Sequence, residues 1–241
     1  SKKFDYYLVV TGSHLLRKQG YTINEIKKDG FKIYKKFNMF EEKEDDSAST
    51  MTIAFGKAII NLTKIIKQLK PDLVFSGFDI GANFAAAVVG AHMNIHVAHL
   101  EGGEITGTID ESIRHAISKF AHIHFTSNEQ ATKRLIKMGE SSKNIFTVGN
   151  PSLDVIKSIK FISKKELEKE FNINLEKPLL LIVQHTVTTE INEIDKYFLE
   201  TINAIKETNH QAIIISGNSD AGSQKIKKII KNSNILNYEN L

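Results

Sequence analysis

Cysteine is absent from the 241 residues of this sequence, which excludes disulfides, thiolate nucleophiles and cysteine-based zinc sites. No uninterrupted apolar run reaches the roughly 18 residues that cross a bilayer, and residues 1–5 lack the apolar core of a signal peptide. Motifs for a P-loop, a dinucleotide-binding glycine loop and a serine nucleophile elbow are absent as well. These absences lead us to expect a cytoplasmic protein with no membrane contact.

The charge is moderately basic, with a net value of +4 and a sequence pI of about 9.0. A basic surface could serve an anionic partner such as nucleic acid or a phosphorylated substrate. The lysines are scattered over predicted helix faces, however, and no basic stripe interleaved with aromatic residues is present. We therefore interpret the charge as a compositional bias and expect no nucleic-acid partner.

Short β-branched runs alternate with helix-length segments along the whole chain. Strands are predicted at residues 6–10, 72–75, 95–99, 122–125, 145–148, 179–183 and 212–216. Helices are predicted at about 50–69, 82–92, 110–120, 128–138, 164–171, 192–207 and 220–231. Capping boxes are predicted for the pairs Thr22/Glu25, Thr108/Glu111, Ser127/Gln130 and Ser163/Glu166.

This alternation predicts an α/β fold, a mostly parallel sheet with helices on both faces. Such sheets bind ligands at the carboxyl ends of their strands, so the loops after residues 76, 99, 148 and 183 are the candidate sites. A boundary is expected near 151–177, where two prolines flank a short charged helix. We predict one domain at 1–155, a linker with a short helix at 156–177, and an incomplete second domain at 178–241.

The densest polar stretch runs from His99 to His115, from the end of a predicted strand into a predicted helix. Its ionisable candidates are Glu101, Glu104, Asp110, Glu111, Arg114 and His115. Two glycines after Glu101 would let the backbone turn sharply and a ligand approach closely. Four acids followed by Arg and His suggest acid–base work on a substrate with an anionic leaving group. A surface loop with helix-capping acids explains the same pattern equally well.

The capping pattern divides these acids. With Thr108 as N-cap, Glu111 has a structural position from which it folds back toward the Thr108 amide. Asp110 is then the freer acid, and Arg114, four residues further on, can pair with it or reach a phosphate. The position of His115, one turn after Glu111, fits a structural or a functional role.

Three further positions could carry chemistry. Asp79 follows a buried strand and could equally be an acid at the N-terminus of a helix. His185 follows the first strand of the second segment, where it could reach a phosphate or a sugar across a cleft, although a lone histidine after a strand is more often structural. His122 and His124 have a spacing that two metal ligands can use, but without a third ligand we expect no metal site.

Several of these segments match one known family. Ala98-His99-Leu100-Glu101-Gly102-Gly103-Glu104, followed by Gly107-Thr108-Ile109-Asp110-Glu111-Ser112-Ile113-Arg114-His115, closely resembles the hydrolysing UDP-N-acetylglucosamine 2-epimerases. Thr11-Gly12-Ser13-His14-Leu15, Val148-Gly149-Asn150-Pro151-Ser152-Leu153-Asp154 and His185-Thr186-Val187-Thr188-Thr189-Glu190 fit the family as well. The resemblance extends over nearly the whole chain.

The resemblance implies a glycosyltransferase-B-like fold of two Rossmann-like domains with the substrate, a nucleoside-diphosphate N-acetylhexosamine, between them. It implies elimination of the nucleotide to a 2-acetamidoglucal and rehydration to N-acetylmannosamine, as in pathways to sialic-acid-like sugars. By motif, Asp79, Glu101 and Asp110 match the catalytic acids, and Arg114 and His185 match positions near the diphosphate. We place Glu104, Glu111 and His115 among the substrate-binding candidates. The resemblance implies no metal or organic cofactor, and it implies a homo-oligomer.

The sequence departs from the family pattern in three places. Asp79 stands in Phe78-Asp79-Ile80-Gly81-Ala82, without the Arg and Glu that usually follow this acid. That change suggests a different nucleotide, such as GDP, or altered sugar contacts. The opening strand with its Gly-Thr-Arg loop, and the Gly-Asn-Ser-Ser-Gly-type loop that holds the nucleotide, are both missing, so a chain truncated at both ends is expected.

Three alternative functions stay open. A non-hydrolysing epimerase of the same family would release a nucleotide-linked product. A glycosyltransferase on the same fold would need an acceptor and would leave Asp79 and Asp110 without matched roles. A sugar-nucleotide binding module without catalysis would be consistent with the changed loop around Asp79.

Overall fold

A computed structural model describes residues 3–78, 81–187, 190–217 and 221–238. The strands are β1 (Leu8–Val10), β2 (Ile33–Lys36), β3 (Leu73–Gly77), β4 (His96–Leu100), β5 (Ile123–Thr126), β6 (Ile145–Thr147), β7 (Leu179–Val183), β8 (Gln211–Ile215) and β9 (Leu236–Tyr238). The α-helices are α1 (Ile23–Lys28), α2 (Ala48–Leu69), α3 (Gly81–His92), α4 (Ile109–Phe120), α5 (Glu129–Lys137), α6 (Pro151–Ser158), α7 (Lys164–Phe171), α8 (Ile194–Thr208) and α9 (Ser223–Asn232). All seven predicted strands and all seven predicted helices are confirmed, with ends shifted by up to three residues.

Sequence periodicity missed four elements, the helices α1 and α6 and the strands β2 and β9. The strands β2 and β9 are short and contain lysine or asparagine, so they lack the continuous apolar and β-branched run that marked the equally short β1 and β6. Helix α6 has no buried residue, and its apolar side chains Leu153, Val155 and Ile156 are exposed. Its start signal was nevertheless present, because Asn150 is the N-cap and Pro151 occupies the first turn.

The capping predictions had mixed outcomes. Ser163 and Glu166 form a full capping box at α7. At α1, the side chain of Thr22 makes no capping hydrogen bond, so that capping box was wrong. At α5 the N-cap is Asn128, one residue after the predicted Ser127, because an asparagine side chain caps as well as a serine.

The strands form three parallel sheets, ordered β1-β2, β3-β4-β5-β6 and β7-β8-β9. In the four-stranded sheet, Gly77 pairs with Leu100, Leu100 with Phe125, and Thr126 with Thr147. Parallel strands in this register end at one common edge. The loops after β3, β4, β5 and β6 therefore lie side by side.

Helices cover one face of the four-stranded sheet. Helix α3 packs so tightly there that a Cβ on Gly90 would come within 2.8 Å of Val97 and 3.2 Å of Val74. The opposite face carries Phe75, Phe125 and Phe146, whose rings follow one another at 6.3 and 6.0 Å. Phe75 and Phe146 are 55% and 49% exposed. The prediction of helices on both faces is thus met on one face within the described part of the chain.

The buried apolar residues form two clusters. The larger one joins α2, α3 and α4 to the four-stranded sheet. The smaller one joins α8, with Phe198 and Ile202, to Ile214 of β8 and Ile226 of α9. The division into domains at 1–155 and 178–241 stays a prediction. Among the described residues, none of the helices has both the length and the apolarity needed to cross a bilayer.

Candidate active site

Strands β3 and β4 end in the same unusual way. Phe78 and Glu101 directly follow the paired residues Gly77 and Leu100, and both have left-handed backbones, with φ of 61° and 63°. This conformation is uncommon for residues other than glycine and is costly for a bulky side chain. The predicted neighbourhood of the two strands is confirmed, whereas Asp79 itself lies outside the described residues.

The two glycines after Glu101 are required by the protein's own packing. A Cβ on Gly102 would lie 2.8 Å from the His99 ring, and one on Gly103 would lie 2.5 Å from the Ala131 carbonyl oxygen. Gly103 also has a φ of 88°. The sharp turn is confirmed, and the close approach that the structure shows is to protein atoms beneath the loop.

Glu101 is half-buried at the end of β4. Its amide donates to the Phe125 carbonyl at 2.8 Å, which extends the sheet pairing by one bond. Its carboxylate Oε1 accepts from the side-chain amide Nδ2 of Asn150 at 2.7 Å. The carboxylate is therefore held from β4 on one side and from the start of α6 on the other.

Glu104 closes the loop against α4 and α5. Its carboxylate accepts from Asn128 Nδ2 at 2.6 Å, and its carbonyl accepts from Arg114 Nη1 at 3.0 Å. A second arginine, Arg134, donates to the Gly103 carbonyl. Arg114 is only 7% exposed, so its positive charge lies beneath the loop that carries both acids.

The start of α4 differs from the predicted capping box. Thr108 is the N-cap, but its hydroxyl accepts from the Asp110 amide at 3.3 Å and donates to the Asp110 carboxylate at 3.0 Å. The carboxylate of Glu111 accepts from the amides of Thr106 and Gly107 at 2.9 Å each, so its predicted bond to the Thr108 amide was wrong. The loop turns back at Gly107, which brings the Thr106 and Gly107 amides closer to the Glu111 carboxylate. The bonds to Gly107 and Thr106 lower the pKa of Glu111.

The histidines near the site have structural contacts. His115 Nε2 lies 3.9 Å from Glu111, and both roles considered for this histidine stay predictions. His122 accepts from the Val97 amide at 3.2 Å, and buried His124 lies 3.4 Å from Glu140. No group of three potential ligands that could hold a metal occurs among the described residues.

His99 lies fully buried under the loop. Its Nδ1 is 3.1 Å from the hydroxyl of Ser118, which also contacts the Arg114 carbonyl at 3.1 Å. Burial, reinforced by the positive charges of His124 and Arg114, lowers the pKa of His99 to about 3. His99 is therefore neutral at physiological pH. The loop packs at Gly102 against an uncharged imidazole ring.

His185 lies at the carboxyl end of β7, in a different sheet from Glu101. It is exposed and lines a small depression together with Thr186, Gly217, Ser223 and Lys227. Six of the candidates thus lie in the loop after β4 and in helix α4, within residues 101–115. His185 follows β7 and belongs to a second region. Sequence reasoning missed Asn128, Asn150 and Arg134, although an asparagine before a helix-length segment could have indicated the first two.

The fold and the site define the class of this protein. Ionisable side chains lie in the loops after parallel strands, as in α/β proteins that bind ligands at the carboxyl edge of a sheet. The sequence profile of the UDP-N-acetylglucosamine 2-epimerase family matches residues 1–241. The chain belongs to this family.

Similar proteins agree with this assignment. The UDP-N,N'-diacetylbacillosamine 2-epimerase (hydrolyzing) of Legionella pneumophila is 37% identical over 96% of this chain and 61% of its own length. The GDP/UDP-N,N'-diacetylbacillosamine 2-epimerase (hydrolyzing) of Campylobacter jejuni is 35% identical over 96% of this chain and 60% of its own length. The chain therefore spans about three fifths of these relatives.

Solved structures show the same fold. The UDP-GlcNAc 2-epimerase of Neisseria meningitidis, in a crystal structure with UDP-GlcNAc bound, superposes with a TM-score of 0.76 at 20% identity. The match covers 100% of this chain and 67% of that one. The chain has the glycosyltransferase-B-like α/β fold that the sequence predicted.

Proposed function

We propose that the protein carrying this chain is a hydrolysing 2-epimerase of a nucleoside-diphosphate-linked N-acetylhexosamine. The observation that carries the proposal is the position of Glu101, anchored in a left-handed turn at the carboxyl edge of the sheet. The segment containing Asp79 follows the neighbouring strand β3, and Asp110 stands in the first turn of α4. An elimination followed by a hydration requires a base, an acid and a group that directs water, and the sequence supplies three acids in the segments that follow β3 and β4.

The proposed reaction balances without a cofactor. A base removes the C2 proton, the C2–H electron pair forms a C1–C2 double bond, and the C1–O bond breaks as the nucleoside diphosphate leaves. Water then adds across the double bond, with the hydroxyl at C1 and the proton at C2 on the opposite face. The products are a free 2-epimerised sugar and the nucleoside diphosphate.

We assign the roles of base, acid and water-directing group to Asp79, Glu101 and Asp110 as a set. Arg114 contributes a buried positive charge beside the loop, where it can balance the charge of the leaving diphosphate. His185 supplies a contact from the second sheet, and Glu104 a contact from the loop. Glu111, whose carboxylate is bonded to loop amides, shapes the loop, and it stays a candidate for substrate binding together with the neighbouring His115.

The substituent at the sugar's C4 divides the proposed substrates into two kinds. The Legionella and Campylobacter relatives are named for a sugar with a second acetamido group. A third relative, the UDP-N-acetylglucosamine 2-epimerase of Neisseria meningitidis, is 33% identical over 92% of this chain and 57% of its own length. UDP- or GDP-linked N-acetylglucosamine and N,N'-diacetylbacillosamine are therefore the substrates to compare.

The test uses the intact protein, incubated with each nucleotide sugar in deuterated water and followed by nuclear magnetic resonance. We expect a free 2-epimerised sugar with deuterium at C2, formed from one nucleotide and lost in Glu101→Gln and Asp110→Asn variants. Glu129→Gln, which changes an exposed first-turn acid of α5, is the matched control and should keep full activity. A nucleotide-linked product would favour the non-hydrolysing epimerase, and binding without turnover would favour a binding module.

A further inference from the structure

Two helices that follow adjacent strands both start with an asparagine N-cap. Asn128 begins α5 after β5, and Asn150 begins α6 after β6. In each, the side-chain oxygen accepts a backbone amide of the helix, Ala131 at 2.9 Å and Ser152 at 2.8 Å. In each, the side-chain Nδ2 donates to a glutamate of the 101–104 loop.

The cap fixes which way each asparagine amide faces. Its oxygen must point at the helix, because only the oxygen can accept a hydrogen bond from a backbone N–H. The NH2 group must then point away from the helix, toward the carboxylate. The orientation of the donor is set by secondary structure, so a rotation of the amide would break two hydrogen bonds together.

We propose that Asn150 is a positioning residue for Glu101, an inference that rests on the proposed function of Glu101 as a catalytic acid. Glu101 stands on a left-handed backbone directly after a strand, and its long side chain has several rotatable bonds. The 2.7 Å bond from Asn150 holds Oε1 and restricts rotation of the carboxylate. Asn150 follows β6 and Glu101 follows β4, so the register of these strands through β5 sets the separation of the two residues.

Positioning of this kind acts on the rate of the chemical step. A displacement of about 1 Å in a reacting group costs on the order of 10²-fold in rate. Removal of the Asn150 donor should therefore lower kcat by about 10- to 100-fold with little change in KM. The cap on α6 must be kept in the variants, so that a loss of folding is not mistaken for a loss of positioning.

Two substitutions keep the cap and remove the donor. Asn150→Ser caps the helix with a hydroxyl but is too short to reach Glu101, and Asn150→Asp caps it with a carboxylate that faces Glu101 with an oxygen. Both should melt within a few degrees of wild type, and Asn150→Asp should lose more activity because like charges repel. Ser163→Ala removes the cap of the distant helix α7 and should leave kcat unchanged.

A double variant separates positioning from a structural role. If Asn150 acts through Glu101, adding Asn150→Ser to Glu101→Gln should cause no further loss of the residual single-turnover rate. If the two single variants' losses of rate multiply in the double variant, the inference is overturned while the proposed function stands. The same holds if Asn150→Ser keeps the kcat of wild type. No turnover by wild type, or full activity in Glu101→Gln, would instead overturn the proposed function of the site.

Discussion

His99 and Ser118 meet in a fully buried contact, with the imidazole Nδ1 3.1 Å from the hydroxyl oxygen. The Ser118 hydroxyl donates to the Arg114 carbonyl at 3.1 Å, so the imidazole must donate through Nδ1–H. This leaves Nε2 as an acceptor that has no hydrogen-bond partner among the described residues. A neutral histidine beneath the candidate site makes the fold sensitive to acid.

The free energy of unfolding should depend on pH through the titration of His99. The pKa of His99 is about 3 in the folded chain, against an ordinary value of 6.5, so between these values the unfolded chain binds a proton that the folded chain does not. The free energy of unfolding should therefore fall as the pH falls through this window, by about 1.4 kcal/mol per pH unit for one proton.

Urea unfolding at several pH values would measure the slope of stability against pH. His99→Asn should flatten that slope, whatever its effect on absolute stability. His210→Asn replaces an exposed histidine and is the matched control. An unchanged slope in His99→Asn would contradict the assignment of a neutral buried imidazole.

The contact of Gly103 with α5 should make this position intolerant of any side chain. Gly103→Ala would adopt a left-handed backbone, at a cost on the order of 1–3 kcal/mol, and its Cβ would lie 2.5 Å from the Ala131 carbonyl oxygen. Gly139 has a similar φ of 91°, but a Cβ there would meet no atom of the described residues within 4 Å, so Gly139→Ala bears the backbone cost alone. Denaturant unfolding should show a larger loss for Gly103→Ala, and equal losses would refute the tight contact.

The hydrogen bonds of Glu111 should order the loop before α4. Both amides donate to the same carboxylate oxygen, Oε2, so Glu111→Gln replaces their shared charged acceptor by a neutral amide group and weakens both hydrogen bonds. Hydrogen exchange read by mass spectrometry should then be faster in peptides covering 105–108. The lowered pKa of Glu111 means that this order is present at neutral pH and is lost only as the pH falls below the usual carboxyl range. Unchanged exchange in the variant would contradict this role.

Asp46 should stabilise the start of α9 from a distant part of the chain. Its carboxylate accepts from the Gln224 amide at 2.9 Å, and the α9 N-cap, Gly222, has no side chain to do so. Asp46→Ala should cost about 1 kcal/mol, as the loss of an N-cap does, and should speed hydrogen exchange at Gln224 and Lys225. Asp46→Asn keeps an acceptor oxygen and should behave more like wild type. Equal exchange in all three proteins would show that the contact contributes nothing.

Local sequence signals were sufficient for most of the secondary structure. The apolar spacing of Phe198 and Ile202 predicts α8, and the Ser163/Glu166 pair predicts the start of α7, because both signals depend only on neighbours along the chain. The motif from Glu101 to His115 was likewise enough to indicate the family, which the profile match confirms. The strand β9 was missed because an asparagine interrupts its three residues, whereas the equally short β1 and β6 lie in apolar, β-branched runs.

Tertiary structure alone decided the contacts of the site. Asn128 is 24 residues from Glu104, and Asn150 is 49 residues from Glu101, so no local pattern connects them. They meet because β4, β5 and β6 align in parallel and end at one edge, which places the helix caps beside the loop. The same holds for the open face with Phe75 and Phe146, since an apolar strand residue does not reveal which of its two faces a helix will cover. Sequence thus determined which acids are present, and the sheet register determined which neighbours hold them.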